Sequence, residues 1–425
     1  MAPWLSRLRL LPTNQLRQPS APNRHRSQSS KRNQSVDGAS HSGWGIASSS
    51  ECQVDGHMMS MVGAVLRGSS MAWHANKAFF VTLAVYVLVA LAVAVRWTIS
   101  VDLVLYSRPF LLFGSGVTVI LFALISVHVM LERPPRLFPA LRDRLVANEL
   151  PYRMIIGLPV VLALPVFFSL FTSLKGGISR IVPFYADTTI MAIDRAIHGG
   201  VDAWLVLHPL FGYGPLIFIL NFVYSLWLVM MFIVLFCVIF SIRDQRIRSQ
   251  YLVTYVLTWA LLGNLAATIF ASVGPAFVMP FYGDATFSPL MNHLRTIDAI
   301  YPVWSVHVQE VLFANVTSNG PRLGGGISAF PSLHVAIATL NAIYLWRFGG
   351  LLRWAGVVFL ILIQLGAVQL AWHYGIDGYA SILATLIIWA VAGRMAKASL
   401  QPTPTEHHGR QELRETRSSR ASMAK

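Results

Sequence analysis

Two short segments carry residue types that can move a phosphoryl group. In His373-Tyr374-Gly375-Ile376-Asp377 an imidazole and a carboxylate stand four residues apart, and they share one face if the joint is helical. The carboxylate would accept a hydrogen bond from one ring nitrogen, fixing the tautomer and leaving the other nitrogen free as a nucleophile. In the second segment, Gly324-Gly325-Gly326 leads through Ile327-Ser328-Ala329-Phe330 into Pro331-Ser332-Leu333-His334, at the start of an apolar run. That order reads as a helix N-terminus with the proline in its first turn. Free backbone N–H groups and the positive end of the helix dipole make such a terminus an anion site, to which the Ser332 hydroxyl can add a hydrogen bond. A phosphate suits it. His334, with an ordinary imidazole pKa of ~6.5, could protonate a departing oxygen as a general acid.

Both segments border long apolar runs, so the elements that must position them are membrane helices. Eight runs reach or approach the ~20 residues that a spanning helix needs: Ala78 to Val95, Pro109 to Leu131, Met154 to Leu174, Pro215 to Ile242, Tyr251 to Val278, Phe330 to Trp346, Trp354 to Trp372 and Tyr374 to Gly393. The sixth is the shortest and contains His334. The expected fold class is all-α, a polytopic membrane helix bundle of eight spans. Composition agrees: 55% of the 425 residues are hydrophobic and only 12% charged, with mean hydropathy +0.57, which excludes an ordinary soluble enzyme.

The formal charge of +15 then reads as topology, not as affinity for nucleic acid. With both termini cytoplasmic, 26 of the 33 basic residues fall on the inside, including Arg133, Arg136, Arg142, Arg144 and Arg153 in one loop and Arg243, Arg246 and Arg248 in another. This orientation puts the two chemical segments on the extracytoplasmic face, together with the segment from Lys175 to Arg195. Ionisable groups at membrane helix ends are costly and mark functional sites by default. Lys175, Arg180 and Arg322 are the outside cations able to clamp a phosphate, Lys175 first, although it reads equally as an interfacial anchor. Asp187 and Asp194 are candidates for headgroup binding; with Arg195 they otherwise belong to an amphipathic surface helix whose Ile190, Ile193 and Ile197 face lipid. Asn221, Tyr224 and Trp227 recur at helical spacing and read as helix packing. His128, His208, His293 and His307 read as structural.

The boundaries follow. Residues 1–75 form a basic tail expected to be disordered, in which Met58, Met59, Met61 and Met71 raise the question of the true start. Residues 76–153 hold two N-terminal transmembrane helices, 154–393 the core with the chemistry, and 394–425 a disordered cytoplasmic tail. Two cysteines, Cys52 and Cys237, fit neither a disulfide framework nor a metal-ligand spacing. The preference for Arg over Lys, 28 to 5, fits a GC-rich genome and places the expected protein in a bacterial inner membrane.

At these residues the chain resembles the type 2 phosphatidic acid phosphatase superfamily, through its Pro-Ser-x-His and His-x-x-x-Asp motifs. More closely, Ser328 to His334 and His373 to Gly378 are similar to the inositol phosphorylceramide synthase branch, as are Lys175, Pro183-Phe184, Asp187, Asp194 to His198 and the Ser272-Val273-Gly274-Pro275 turn. The resemblance covers about Met154 to Gly393. It implies a six-helix core preceded by two extra spans, with His373 attacking phosphorus, Asp377 orienting it and His334 protonating the leaving group. Water or an acceptor alcohol would release the phosphoryl group, with no metal and no cofactor. The implied substrates are a phospholipid or a prenyl diphosphate, beside membrane lipids and an alcohol acceptor.

Two departures shape that expectation. The Lys-x6-Arg-Pro motif and the Ser-Arg pair of other members are missing, and Ala367 stands six residues before His373. Their absence weighs against a simple lipid phosphatase more than against a phosphotransferase. A transporter that uses the polar cluster, or a non-catalytic scaffold, is the alternative. Transport predicts mid-bilayer charges and internal repeats, and the sequence has no such repeat.

Overall fold

The computed structural model describes residues 49–316 and 323–399. Its chain falls into two units, Met1–Met59 and Ser60–Lys425; the described part of the first is the beginning of one helix, and the second holds everything that follows. Every regular element among the described residues is helical, as a polytopic all-α bundle requires.

Helix α1 is Ser49–Arg96, so the 49–75 part of the expected tail is helical; residues 1–48 and 400–425 lie outside the described residues. Next come α2 (Ser107–Leu131), α3 (Leu137–Ala147), α4 (Leu150–Gly176), the short α5 (Ile178–Ile181), α6 (Asp187–Ile197), α7 (Ala203–Phe211), α8 (Gly214–Ser225) and α9 (Trp227–Ile239). Helix α10 (Gln245–Thr258) continues through a π-helical stretch, Trp259–Ala266, into α11 (Ala267–Ile269). The described residues continue through α12 (Val278–Tyr282), α13 (Ser288–Asp298), α14 (Trp304–Val316), α15 (Leu333–Trp346) and α16 (Gly350–Gln369) to α17 (Gly375–Ser399). Seven stretches are long and apolar enough to cross a membrane, and α15 is a shorter apolar helix. The sixth of the eight expected runs is therefore present as a helix of reduced length.

The reason is visible in the packing. Helix α15 runs through the middle of the bundle, where Val335, Ala336, Ile337 and Ala338 are fully buried. Small residues let its neighbours approach: a side chain at Gly356 of α16 would press on Ala342, and one at Gly263 would overlap Phe171 and Leu333. Gly263 lies in the π-helical stretch, which packs closely on Phe171 of α4 and Leu333 at the start of α15. At the opposite end of α4 and α9 the buried Arg248 donates to the carbonyls of Ile239 (2.9 Å), Ala75 (3.2 Å) and Ile156 (3.1 Å), tying α9, α1 and α4 together. Backbone carbonyls can satisfy a guanidinium in this way without a carboxylate.

Two expected runs are interrupted. The fourth breaks at Leu226, between α8 and α9, and the fifth ends at Ile269, leaving Ser272-Val273-Gly274 as an ordered turn before a 3₁₀ segment at Pro275–Phe277. Both breaks fall beside the histidines.

Candidate active site

Helix α16 stops at Gln369, and the Ala367 carbonyl accepts from the backbone N–H of both Trp372 (3.0 Å) and His373 (2.9 Å). The joint carrying His373 is thus a tight non-helical turn, where the sequence suggested a helical one, and α17 starts two residues later. The expected pair forms nevertheless, because Asp377 sits in the first turn of α17 and reaches back. His373 Nδ1 lies 3.2 Å from Asp377 Oδ2, which also accepts from Tyr374 N–H at 3.1 Å. A carboxylate next to a helix N-terminus is favoured by the dipole. An ionised carboxylate only accepts, so with Asp377 charged the proton is on Nδ1 and the lone pair on Nε2.

His334 occupies the first turn of α15, one residue after Leu333. Its ring is held between Tyr224, stacked at 4.7 Å, and Trp227 at 4.2 Å, and Trp227 Nε1 donates to the His334 carbonyl at 2.9 Å. The ring centres of His334 and His373 are 6.1 Å apart. Both line one cavity of about 860 Å³, together with Lys175 and the Gly324-Gly325-Gly326 run. Gly326 has φ +93°, and a side chain there would overlap the backbone of Lys175 and Gly176, so the glycine run lies directly on the end of α4. No acidic group pairs with Lys175 among the described residues.

The remaining candidates are placed elsewhere. Ser332 is the N-cap of α15, accepting from Val335 N–H at 3.4 Å, and is fully buried behind the cavity wall; Pro331 precedes the cap instead of entering the first turn. Arg180 is exposed and donates to the Thr98 carbonyl at 3.0 Å. Arg322 lies outside the described residues. Asp187 and Asp194, both buried on α6, face the loops that carry the histidines and do not line the cavity. Asp187 accepts from Val273 N–H (2.8 Å), Gly274 N–H (2.9 Å), Tyr282 Oη (2.8 Å) and Tyr374 Oη (2.8 Å). Burial, with Asp187 adjacent, keeps the Tyr282 phenol above its ordinary range and therefore a donor. Asp194 accepts from Ile376 N–H at 2.9 Å, within the first turn of α17.

The Ser272 to Pro275 turn joins the two halves. Ser272 accepts from Ala329 N–H through its carbonyl (3.0 Å) and from Phe330 N–H through its hydroxyl (3.0 Å), just before His334; Ala276 N–H donates to the Ala371 carbonyl (3.0 Å), just before His373. The sequence reading missed these positioning roles, as it missed the aromatic clamp on His334. A helically spaced Tyr224 and Trp227 is a visible signal, since side chains three apart share a helix face, but the sequence does not say that the partner of both rings is His334.

Residues 188–391 match the family model of the PAP2 superfamily. No curated protein and no solved structure matches the chain. The matched stretch contains His334, His373, Asp377 and Asp194, and begins after Lys175 and Asp187. It points to lipid phosphatase-type chemistry in a membrane protein, and does not single out the inositol phosphorylceramide synthase branch.

Proposed function

We propose that this chain is a membrane enzyme that hydrolyses or transfers a phosphoryl or phospho-headgroup of a lipid through a phosphohistidine on His373, at the extracytoplasmic face. One observation carries the reading: an imidazole oriented by a buried carboxylate at 3.2 Å, facing a second imidazole across a cavity that also holds a lysine. His373 Nε2 attacks phosphorus, forming an N–P bond as the bond to the leaving oxygen breaks, and His334 gives that oxygen its proton. The neutral His334 then takes a proton from water or an acceptor alcohol, whose oxygen attacks phosphorus and releases His373. Asp377 stabilises the charge on the imidazolium formed in the first step, and Lys175 stabilises that of the phosphoryl oxygens. The missing Lys-x6-Arg-Pro motif favours transfer to an alcohol, with phosphatidylinositol as headgroup donor and ceramide or diacylglycerol as acceptor.

The test is release of inorganic phosphate from phosphatidic acid and prenyl diphosphates by the purified full chain in detergent with EDTA, beside His373→Ala. Phosphate released by the wild type alone supports the hydrolase. If none is released, phosphatidylinositol with ceramide, or with a diacylglycerol whose acyl chains differ from the donor's, is added, and a new phospholipid supports the transferase. Silence in both assays overturns the proposal.

A further inference from the structure

The cavity extends far beyond the space that a phosphate needs. From Lys175, His334 and His373 it continues to a floor made by Phe110 of α2, Phe168 of α4 and Phe232 of α9, whose rings meet in pairs at 5.5 to 6.1 Å. Its volume of about 860 Å³ is at the upper end of the ~300–1,000 Å³ typical of small-molecule sites. Its side wall is not closed. Leu112 of α2 and Leu228 of α9 line the cavity and are also 75% and 52% exposed, on helices long and apolar enough to span a bilayer. The edge of the cavity formed by these two side chains therefore faces lipid.

Helix α2 belongs to this site although it precedes the matched region. Tyr106, at its start, accepts from Thr172 Oγ1 (3.2 Å) and from Gly324 N–H (3.0 Å), which ties α2 to α4 and to the glycine run above the histidines. Its own N–H donates to Ser169 Oγ at 3.0 Å. Below this anchor, Phe110 is the contribution of α2 to the floor, and most of the helix makes few contacts with the bundle, so that Leu111, Leu112, Val119 and Ile120 are exposed. A helix anchored at one end and loosely packed beyond it can shift to admit a chain from the side.

We infer that the aromatic chamber holds the hydrocarbon chain next to the substrate's phosphate, that the chain enters sideways from the bilayer between α2 and α9, and that Phe110 sets how much chain is accepted. The identity of the occupant as substrate rests on the proposed phosphoryl chemistry. Two lines favour a hydrocarbon chain: the chamber is continuous with the histidines, and it is walled by rings and aliphatic side chains that would repel a polar ligand. Acyl and prenyl chains share this chemistry.

Two experiments on the full chain separate the chamber from the reaction. In the first, phosphatidic acid with a diazirine on an acyl chain, or a farnesyl phosphate with a diazirine on its prenyl chain, is photolysed with His373→Ala protein, and the labelled peptides are mapped. Labelling of α2 and α9 next to Phe110 and Phe232, competed by the unlabelled lipid, is expected; whichever probe labels identifies the chain type. Labelling confined to other surfaces overturns the inference whether or not the enzyme turns over. In the second, kcat/KM is compared for long-chain and eight-carbon phosphatidic acids, or for long and short prenyl diphosphates, in wild type and Phe110→Trp. The long-to-short ratio should fall about tenfold or more, the scale on which an apolar pocket reads one or two methylenes. An unchanged ratio removes Phe110 from specificity. Specific labelling with no turnover of any substrate would leave the chamber standing and remove the phosphoryl reading.

Discussion

Asp187 and Tyr374 are 187 residues apart, and their side chains meet in a 2.8 Å hydrogen bond from phenol to carboxylate. The same carboxylate holds the backbone of Val273 and Gly274, so one buried acid fixes the residue after His373 and the turn that braces the segment before His334. Asp187→Asn would turn an amide NH₂ towards donors that need acceptors. Stability should fall by about 1–3 kcal/mol, the cost of unsatisfied buried donors, and kcat should fall while KM changes little. Tyr374→Phe removes one of the four bonds and should produce the same pattern more weakly. The check is kcat and KM on folded fractions of each variant together with thermal melts; wild-type kcat in Asp187→Asn would show that the clamp does not position the histidines.

His373→Ala should abolish turnover and lower the melting temperature, because it takes a hydrogen-bond partner from the fully buried Asp377, so activity is compared on folded fractions. Asp377→Asn keeps the shape but no longer favours the tautomer with its lone pair on Nε2, and should slow the reaction by about 10²–10⁴-fold. Acid-labile, base-stable phosphate on the wild-type protein after brief mixing with substrate would report the intermediate, and its appearance on His373→Ala would assign the nucleophile elsewhere.

Much of the architecture was legible because hydrophobic runs of spanning length and a helix-start pattern are local signals. The spacing of His373 and Asp377 suggested their pairing, although the helical joint assumed for it is a turn whose Ala367 carbonyl holds both Trp372 and His373. The functions of Asp187, Asp194 and Ser332 were not legible. Each depends on a partner far along the chain or on burial, and a carboxylate that clamps a loop has the same sequence appearance as one that binds a headgroup. Tyr224 and Trp227 were hidden for a similar reason: aromatic residues at helical spacing are ordinary in a membrane helix, and their partner His334 lies more than a hundred residues along the chain.

Gly274 has φ +86°, and a side chain at that position would lie 2.7 Å from Ala329 Cβ and 2.9 Å from the Trp372 carbonyl. Gly274→Ala therefore pushes against both histidine-bearing segments at once, in a backbone conformation that L-residues rarely adopt. It should lower stability by about 1–3 kcal/mol and reduce activity in the protein that remains folded. Gly283→Ala is the control, since Gly283 also has positive φ but open space around it. Equal losses of activity in the two variants would show that the turn does not transmit its packing to the site.

On α7, His208 contacts Gln369 Nε2 through Nδ1 at 3.1 Å, while its ring meets His293 at 4.7 Å and Trp204 at 5.4 Å. Burial, and then the neighbouring His293, hold the His208 pKa below its ordinary value. The unfolded chain then binds a proton more readily than the folded one, so stability should decline as pH falls through the unfolded value of ~6.5. His208→Gln should flatten that decline in melting temperature between pH 7.5 and 5, and an unchanged slope would assign the acid sensitivity to other groups.

Lys175 presents the opposite balance of stability and function. Its ammonium borders an apolar cavity beside His334, and no acidic partner for it occurs among the described residues. A cation in such surroundings costs folding energy, and it persists where an anionic ligand will neutralise it. Lys175→Met should therefore keep or raise the melting temperature of the ligand-free protein while lowering kcat/KM by about 10²–10³-fold, the range for removing one group that stabilises transition-state charge. Lys175→Arg should recover part of the activity, because charge is restored with a different fork geometry. Added inorganic phosphate or vanadate should stabilise the wild type against heat and fail to stabilise Lys175→Met. If both proteins respond alike, the phosphate clamp lies elsewhere, and Lys175 serves only to anchor the end of α4.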